Sequence, residues 1–248
     1  YMAEKASELG IDVKKLDLRA GCFGAEPWSE AMRKKIESAW GIKAYDIYGL
    51  TEITGPGSAF ECSEQEGMHF NEDLWFPEII NPDTGEPLPD GEKGELVITT
   101  LTKEGTPIIR YRTRDITYIY ADSCGCGRTT RRIHRLFGRT DDLLIIRGVN
   151  VFPSQIENAL IEISGVEPNY QIIVDRDAHT HLDVAELQVE VCPDQFSDET
   201  KGMEALRNNI SSVMKSKLGI LLKIKLVEPK SIERSTGKAK RVIDNREI

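Results

Sequence analysis

The chain has no aliphatic run longer than four residues, Leu143–Ile146 being one. A bilayer-crossing helix needs about 20 apolar residues, so none is expected here. The first residues lack a basic segment followed by an apolar one, so they are not expected to form a signal peptide. A basic surplus is missing as well. Acidic residues outnumber basic ones 41 to 32, for a net charge of −9, and nucleic-acid binders ordinarily carry a basic face. Nucleic acid and membrane are therefore not expected as partners, although Lys238-Ala239-Lys240-Arg241 can hold a small anion. Cysteine is scarce: five residues, an odd number, unevenly spread. Without secretory features that pattern argues against a disulfide framework, for thiol or metal chemistry, and for a cytoplasmic protein. Neither an internal repeat nor a low-complexity tract is present.

An apolar fraction of 40% beside 29% charged residues is enough for a packed core, and 248 residues suit one large or two modest domains. The first 45 residues read as helix, strand, helix, strand. Trp28, Met32, Ile36 and Ala39 share one helical face, and Gly41 stops that helix. A strand over 43–48 ends in a turn at Gly49. Asn81 to Gly94 is turn chemistry, and strands follow at 95–100, 108–111, 116–120 and 143–146, making an antiparallel β unit.

From residue 141 the pattern changes. Ile156, Ala159, Leu160 and Ile163 have helical spacing, and Leu187, Val189 and Val191 alternate with polar residues. Met203, Leu206, Ile210, Val213 and Met214 mark a longer helix, followed by a strand at 223–227 and a polar tail. This reads as a second, α+β domain of about a hundred residues.

Five short polar motifs occur in order. Gly24-Ala25-Glu26-Pro27 lies between a strand and a helix, where small residues let a flat base approach the backbone. Alone it reads as an ordinary strand-to-helix turn. Tyr48-Gly49-Leu50-Thr51-Glu52 follows a strand. Its hydroxyl and carboxylate suit phosphate and Mg²⁺, though a helix start capped by Thr51 fits equally. Tyr111-Arg112-Thr113-Arg114-Asp115 closes a strand, and a carboxylate there can accept two hydrogen bonds from a ribose diol. A salt-bridged strand end is the plainer alternative. Gly138-Arg139-Thr140-Asp141-Asp142 precedes Arg147-Gly148-Val149-Asn150-Val151-Phe152-Pro153, a polar junction of the kind a hinge requires. The last is Arg234-Ser235-Thr236-Gly237-Lys238. It is no P-loop, because no glycine precedes Gly237 at that motif's spacing.

Together the five resemble the adenylate-forming superfamily of acyl-CoA synthetases, adenylation domains and luciferases, and most closely its phenylacetate-CoA ligase branch. The resemblance implies an α/β fold with α+β. Residues 1–140 would be the C-terminal part of the large adenylating domain, a parallel-sheet end plus the antiparallel unit, and residues 141–248 the small mobile domain. It further implies that Gly24, Ala25, Glu26 and Pro27 wall the adenine pocket, and that Asp46, Ile47, Tyr48 and Gly49 line the nucleotide and acyl sites. Thr51 would contact phosphate, Glu52 hold Mg²⁺, Asp115 bind ribose and Arg139 reach the nucleotide. Asp141 would be the hinge, Gly148, Val149 and Asn150 would face the CoA tunnel, and Lys238 would stabilise charge as the carboxylate attacks the α-phosphate. Two positions depart from the family pattern: Arg114 stands where Gly is usual, and Glu233 where Pro is common.

The implied activity is ATP-dependent, AMP-forming ligation of an aryl acid to CoA, phenylacetate first, with a homodimer as an open question. Another aryl acid such as benzoate or indole-acetate, a different acyl acceptor, or a non-catalytic zinc-stapled nucleotide-binding module are the alternatives. The family's Ser/Thr/Gly-rich phosphate loop is absent upstream of Gly24, so a fragment with weak or no catalysis is expected. Independently of any resemblance, Cys62, His69, Cys124 and Cys126 form a Cys-x6-His and a Cys-x-Cys pair, a Cys3His set suited to structural Zn²⁺, with two separate loops of reduced thiols as the alternative. Cys22 and Cys192, in strand-like contexts, are expected to be buried packing residues.

Overall fold

The computed structural model describes residues 2–25, 28–146, 149–177, 182–193, 200–234 and 240–246. The chain divides into two compact units, one of residues 1–28 and 33–141, the other of residues 29–32 and 142–248.

Chain order in the first unit is α1 (Met2–Glu8), β1 (Ala20–Phe23), α2 (Glu30–Trp40), β2 (Lys43–Leu50), β3 (Gly55–Glu61), β4 (Met68–Phe70), β5 (Trp75–Ile80), β6 (Gly94–Thr100), β7 (Tyr111–Thr117), β8 (Arg132–Ile133) and β9 (Gly138–Arg139). One sheet has the order β1-β2-β3-β4-β8, the other β5-β6-β7-β9. Only β1 and β2 pair in parallel, Phe23 opposite Asp46; the remaining ladders of both sheets are antiparallel. The mixed class read from the sequence is what forms. Tyr48, Ile53, Phe70, Trp75, Leu96, Ile98 and Ile133 are among the residues of a shared core.

The second unit runs β10 (Leu144–Ile146), β11 (Val149–Val151), α3 (Pro153–Ile161), β12 (Val166–Arg176), β13 (Asp183–Val191), α4 (Thr200–Leu218), β14 (Lys223–Val227) and β15 (Val242–Asp244). A four-stranded sheet, β14-β13-β12-β15, accompanies the β10–β11 hairpin. Ile156, Ala159, Leu160 and Ile163 join Leu187, Val189, Ile210 and Met214 in one core. That is the outcome expected when helical and alternating apolar stripes are buried together.

Several local expectations need correcting. No strand occupies 108–110. The expected strands at 108–111 and 116–120 are instead one strand, β7, so Asp115 lies inside a strand and not at its end. β2 continues through Gly49 to Leu50, and Thr51 to Thr54 form a turn, so Thr51 caps no helix. On α2 the buried residue is Arg33, 2% exposed, while Met32, Ile36 and Ala39 are half-buried; Trp28, also half-buried, lies before the helix and not on its face. The Arg33 guanidinium pairs with Glu61 at 2.8 Å, both side chains 2% exposed, and also donates to the Ala44 carbonyl. A paired ion tolerates burial, and hydropathy alone does not reveal the pair. Cys22 is exposed, not buried, because β1 is an edge strand with alternating exposure; Cys192 is half-buried just after β13. Among the described residues no helix is long and apolar enough to cross a membrane.

Candidate active site

Asp115 is the centre of the polar cluster in the first unit. It sits on β7, buried to 6% exposure, and each carboxylate oxygen has a partner. The Tyr48 hydroxyl on β2 donates to Oδ2 at 2.7 Å, and Arg139 Nη1 on β9 donates to Oδ1 at 3.2 Å. The β7–β9 ladder sets Asp115 directly opposite Arg139. Burial raises the Asp115 pKa; Tyr48 and Arg139 work in the opposite direction. Burial also drives the Tyr48 hydroxyl well up, and the adjacent Asp115 charge adds to it. Tyr48 therefore stays a neutral donor, and Asp115 keeps a second lone pair on each oxygen for further donors.

Arg139 is held from the other side too. Its Nε and Nη2 donate to the two oxygens of Asp141 at 2.8 and 2.9 Å, a bidentate pair, and Nη1 also reaches the Thr113 carbonyl at 3.1 Å. That pairing lowers the Asp141 pKa.

Glu52 is exposed in the turn after β2 and belongs to the same electrostatic neighbourhood through Tyr111. The Tyr111 hydroxyl lies 3.4 Å from Glu52 Oε1, and its pKa is raised by burial and then by Glu52, with Arg139 and Asp115 also acting on it. Lys103 Nζ donates to the Glu52 carbonyl at 2.7 Å, fixing that turn. One exposed carboxylate beside the Thr51 hydroxyl, also exposed, suits an open hard-cation position such as Mg²⁺.

Around them, Asp46 is buried, with its pKa pushed up to about 6 by burial, and Ile47 follows it on β2. The glycines have reasons within the fold. A Cβ on Gly24 would sit 2.4 Å from the Ile47 carbonyl oxygen, and one on Gly49 would sit 2.1 Å from that of Gly55. Close backbone approach thus accounts for both before any ligand is invoked. Ala25 adopts a left-handed φ of +72°. Glu26, Pro27, Gly148 and Lys238 lie outside the described residues.

Val149 and Asn150 belong to β11 of the second unit, with Asn150 opposite Ile145 and exposed. In the same unit the backbone entering the Lys238 segment is anchored. Fully buried Glu190 accepts from Ile232 N at 2.8 Å and from both Arg234 terminal nitrogens at 2.7 Å.

The structure thus brings Tyr48, Asp115 and Arg139 into direct contact and places Glu52 beside them through Tyr111. Such a cluster offers a carboxylate for a diol, a fixed cation for phosphate and an outer acid for a metal. The model for AMP-binding enzymes matches residues 2–102, and that for the AMP-binding enzyme C-terminal domain matches residues 148–246. The chain belongs to the AMP-binding, adenylate-forming enzyme family.

This AMP-binding chain is 46% identical to phenylacetate-coenzyme A ligase of Thermus thermophilus, over 99% of the chain and 58% of that protein. It is 48% identical to the Escherichia coli K12 phenylacetate-coenzyme A ligase, over 99% of the chain and 55% of that protein. Among solved structures, 2-hydroxyisobutyryl-CoA ligase in the postadenylation state, in complex with R3-HIB-AMP, superposes with a TM-score of 0.91 at 32% identity. That match covers 99% of this chain and 52% of the other. The chain spans little more than half the length of the relatives it matches.

Sequence reasoning missed Tyr111 and Lys103 as supports of the Glu52 turn. Tyr111 stood inside a motif already singled out, so its aromatic hydroxyl was an available signal. Lys103 sits in an ordinary Thr-Lys-Glu-Gly loop and gave none.

Apart from this site, the structure gathers Cys62, His69, Cys124 and Cys126. Their ligand atoms all lie within 4.8 Å of one another. Burial pushes the Cys62 thiol up to about 11, and hydrogen bonds from Arg128 bring Cys126 down to about 7.

Proposed function

We propose that this chain supplies the ribose-binding, nucleotide-binding and CoA-facing parts of an ATP-dependent, AMP-forming ligase that joins an aryl carboxylic acid to coenzyme A. Phenylacetate is the first substrate to test, given the names of the 46–48% identical relatives. The observation that carries the reading is the contact of Tyr48, Asp115 and Arg139 with Glu52 close by. Asp115 accepts from the ribose hydroxyls while Tyr48 keeps its carboxylate oriented. Arg139 holds its charge where the nucleotide phosphate lies, and Glu52 with Thr51 completes the Mg²⁺ end. When bound, Mg²⁺ would neutralise the phosphate oxygens. Gly24, Ala25, Glu26 and Pro27 border the base, and Asp46, Ile47 and Gly49 border the nucleotide and acyl group.

The acid's carboxylate attacks the α-phosphorus, giving acyl-adenylate and pyrophosphate; the CoA thiol then attacks the acyl carbon and AMP leaves. The protein contributes positioning and preorganised charge, with no acid–base residue needed for the first bond. Lys238 as the charge-stabilising lysine, Gly148, Val149 and Asn150 as the CoA-facing loop, Asp141 as a hinge, and a mobile domain of residues 141–248 following an adenylating part of residues 1–140 belong to the same reading. So do a cytoplasmic setting, a homodimer, and Zn²⁺ at the Cys3His cluster.

Calorimetry with AMP tests the carrying observation directly. Asp115→Ala should lower affinity by about 10- to 100-fold, the worth of a hydrogen bond to a charged group; unchanged affinity would refute the ribose role. For chemistry, an acid panel on the full-length protein should release AMP and acyl-CoA with phenylacetate. Lys238→Ala should depress adenylation far more than thioester formation from preformed adenylate, and equal losses would remove its assigned role.

A further inference from the structure

Two tight turns face each other in the first unit. One follows β3, where Gln65 N donates to the Cys62 carbonyl at 3.1 Å and Gln65 takes a left-handed φ of +56°. The other is Cys124-Gly125-Cys126-Gly127, closed by Gly127 N on the Cys124 carbonyl at 3.1 Å, with Gly127 at φ +81°. Between them lies His69 on β4, 2% exposed.

The separations are those of one metal ion. Cys62 Sγ and Cys124 Sγ are 3.6 Å apart, and Cys126 Sγ is 3.4 Å from His69 Nε2. Zn–S bonds of about 2.3 Å and a Zn–N bond of about 2.0–2.1 Å at tetrahedral angles give edges of about 3.8 Å for S···S and about 3.6 Å for S···N. Both observed edges agree within about 0.2 Å, the tolerance a genuine site should meet.

The surroundings complete the site. His69 Nδ1 is 3.0 Å from the Thr130 hydroxyl and 3.2 Å from its carbonyl, so Nδ1 carries the proton and shares it between the two oxygens, leaving the Nε2 lone pair toward Cys126. Arg128 donates to Cys126 Sγ from its backbone N at 3.5 Å and from Nη1 at 3.7 Å. Three thiolates, a neutral imidazole and Zn²⁺ leave one negative charge, which the Arg128 guanidinium offsets. All four coordination positions come from protein, and Cys62, His69 and Cys124 are buried, so no place remains for water or substrate.

We infer that Cys62, His69, Cys124 and Cys126 form a closed, structural zinc site that clamps the β3–β4 connection to the 124–127 turn, with Thr130 as its positioning residue. The inference deepens the zinc element of the reading above and is independent of the ligase chemistry. The role is a staple: Ser-Cys-Gly-Cys-Gly-Arg-Thr-Thr, residues 123–130, offers almost no apolar surface with which to hold a loop.

Metal analysis of protein purified without chelator should find one zinc per chain, and the Cys124→Ser, Cys126→Ser double variant a small fraction of that. Cobalt loading should produce thiolate-to-cobalt charge-transfer and tetrahedral d–d bands in wild type, a readout that survives if the double variant fails to fold. Thr130→Val should weaken Zn²⁺ binding by about 10- to 100-fold while leaving the tetrahedral cobalt spectrum unchanged. No zinc together with an octahedral cobalt spectrum overturns the site itself. Bound zinc whose removal leaves thermal stability unchanged overturns the staple role alone.

Discussion

Arg114 adopts φ +69° in the middle of β7, a conformation that costs an L-residue about 1–2 kcal/mol and glycine almost nothing. Its amide is fixed by Glu95 Oε1 at 3.1 Å, and its side chain is exposed, so the backbone and not the guanidinium sets the geometry. Arg114→Gly should therefore raise stability by about 0.5–1 kcal/mol after the entropy gained by the unfolded chain is subtracted. Urea denaturation checks this, and a loss would show that the Arg114 side chain contributes more than the strain. Asp46 carries a second residue-level cost. Its folded pKa lies near 6 against an ordinary 3.8, because burial disfavours its charge. Its contribution to stability is fully present below about pH 3.8 and is lost as pH rises through about 6. Asp46→Asn should gain at most about 3 kcal/mol at pH 7, and the gain should vanish toward pH 3. A pH-independent difference would mean that the carboxylate is not what burial penalises. The sequence marked both positions, 114 as a departure from glycine and 46 as a pocket neighbour. It could not show that one is strained and the other buried, because φ and burial are set by strands distant in the chain.

Gly49 shows how an element constrains a site residue. β2 and β3 change register between Tyr48 and Gly49, and the bulge leaves no room for a Cβ against the Gly55 carbonyl oxygen. Gly49→Ala should cost about 1–3 kcal/mol as the hairpin gives way, and should weaken AMP binding by displacing the Tyr48 hydroxyl from Asp115. Denaturation and calorimetry on the same variant check the two effects; AMP affinity at the wild-type value would detach Tyr48 from the nucleotide. Strand alternation made β13 and β14 legible from their residues, since each keeps one apolar face over at least five positions, whereas β6 is buried on both faces. β7 was misread as two strands. Its residues Arg112 and Arg114 interrupt the apolar pattern, and Glu95, fully buried on β6, holds both through its carboxylate. A pair of that kind crosses between strands, and a window sliding along one strand does not detect it.

At the scale of the whole chain, the two units carry separate cores. Met68, Phe70, Trp75, Leu96 and Ile98 are packed in one, and Tyr170, Leu187, Val189, Ile210 and Met214 in the other. Helical and alternating stripes restart in the sequence near residue 141. The buried Arg33–Glu61 pair in one unit and the pairing of buried Glu190 with half-buried Arg234 in the other were not readable, because charge in a sequence is read by default as surface. Separate cores make unfolding a sum of two transitions. Scanning calorimetry should resolve them, and Leu187→Ala, a cavity in the second core worth about 2–5 kcal/mol, should lower one and spare the other. Chelation of zinc should do the reverse, lowering only the transition that Leu187→Ala leaves in place, since all four thiol and imidazole ligands lie between residues 62 and 126. A single transition displaced equally by both treatments would mean that the cores unfold as one cooperative body, and that the zinc turns stabilise the second unit as much as the first.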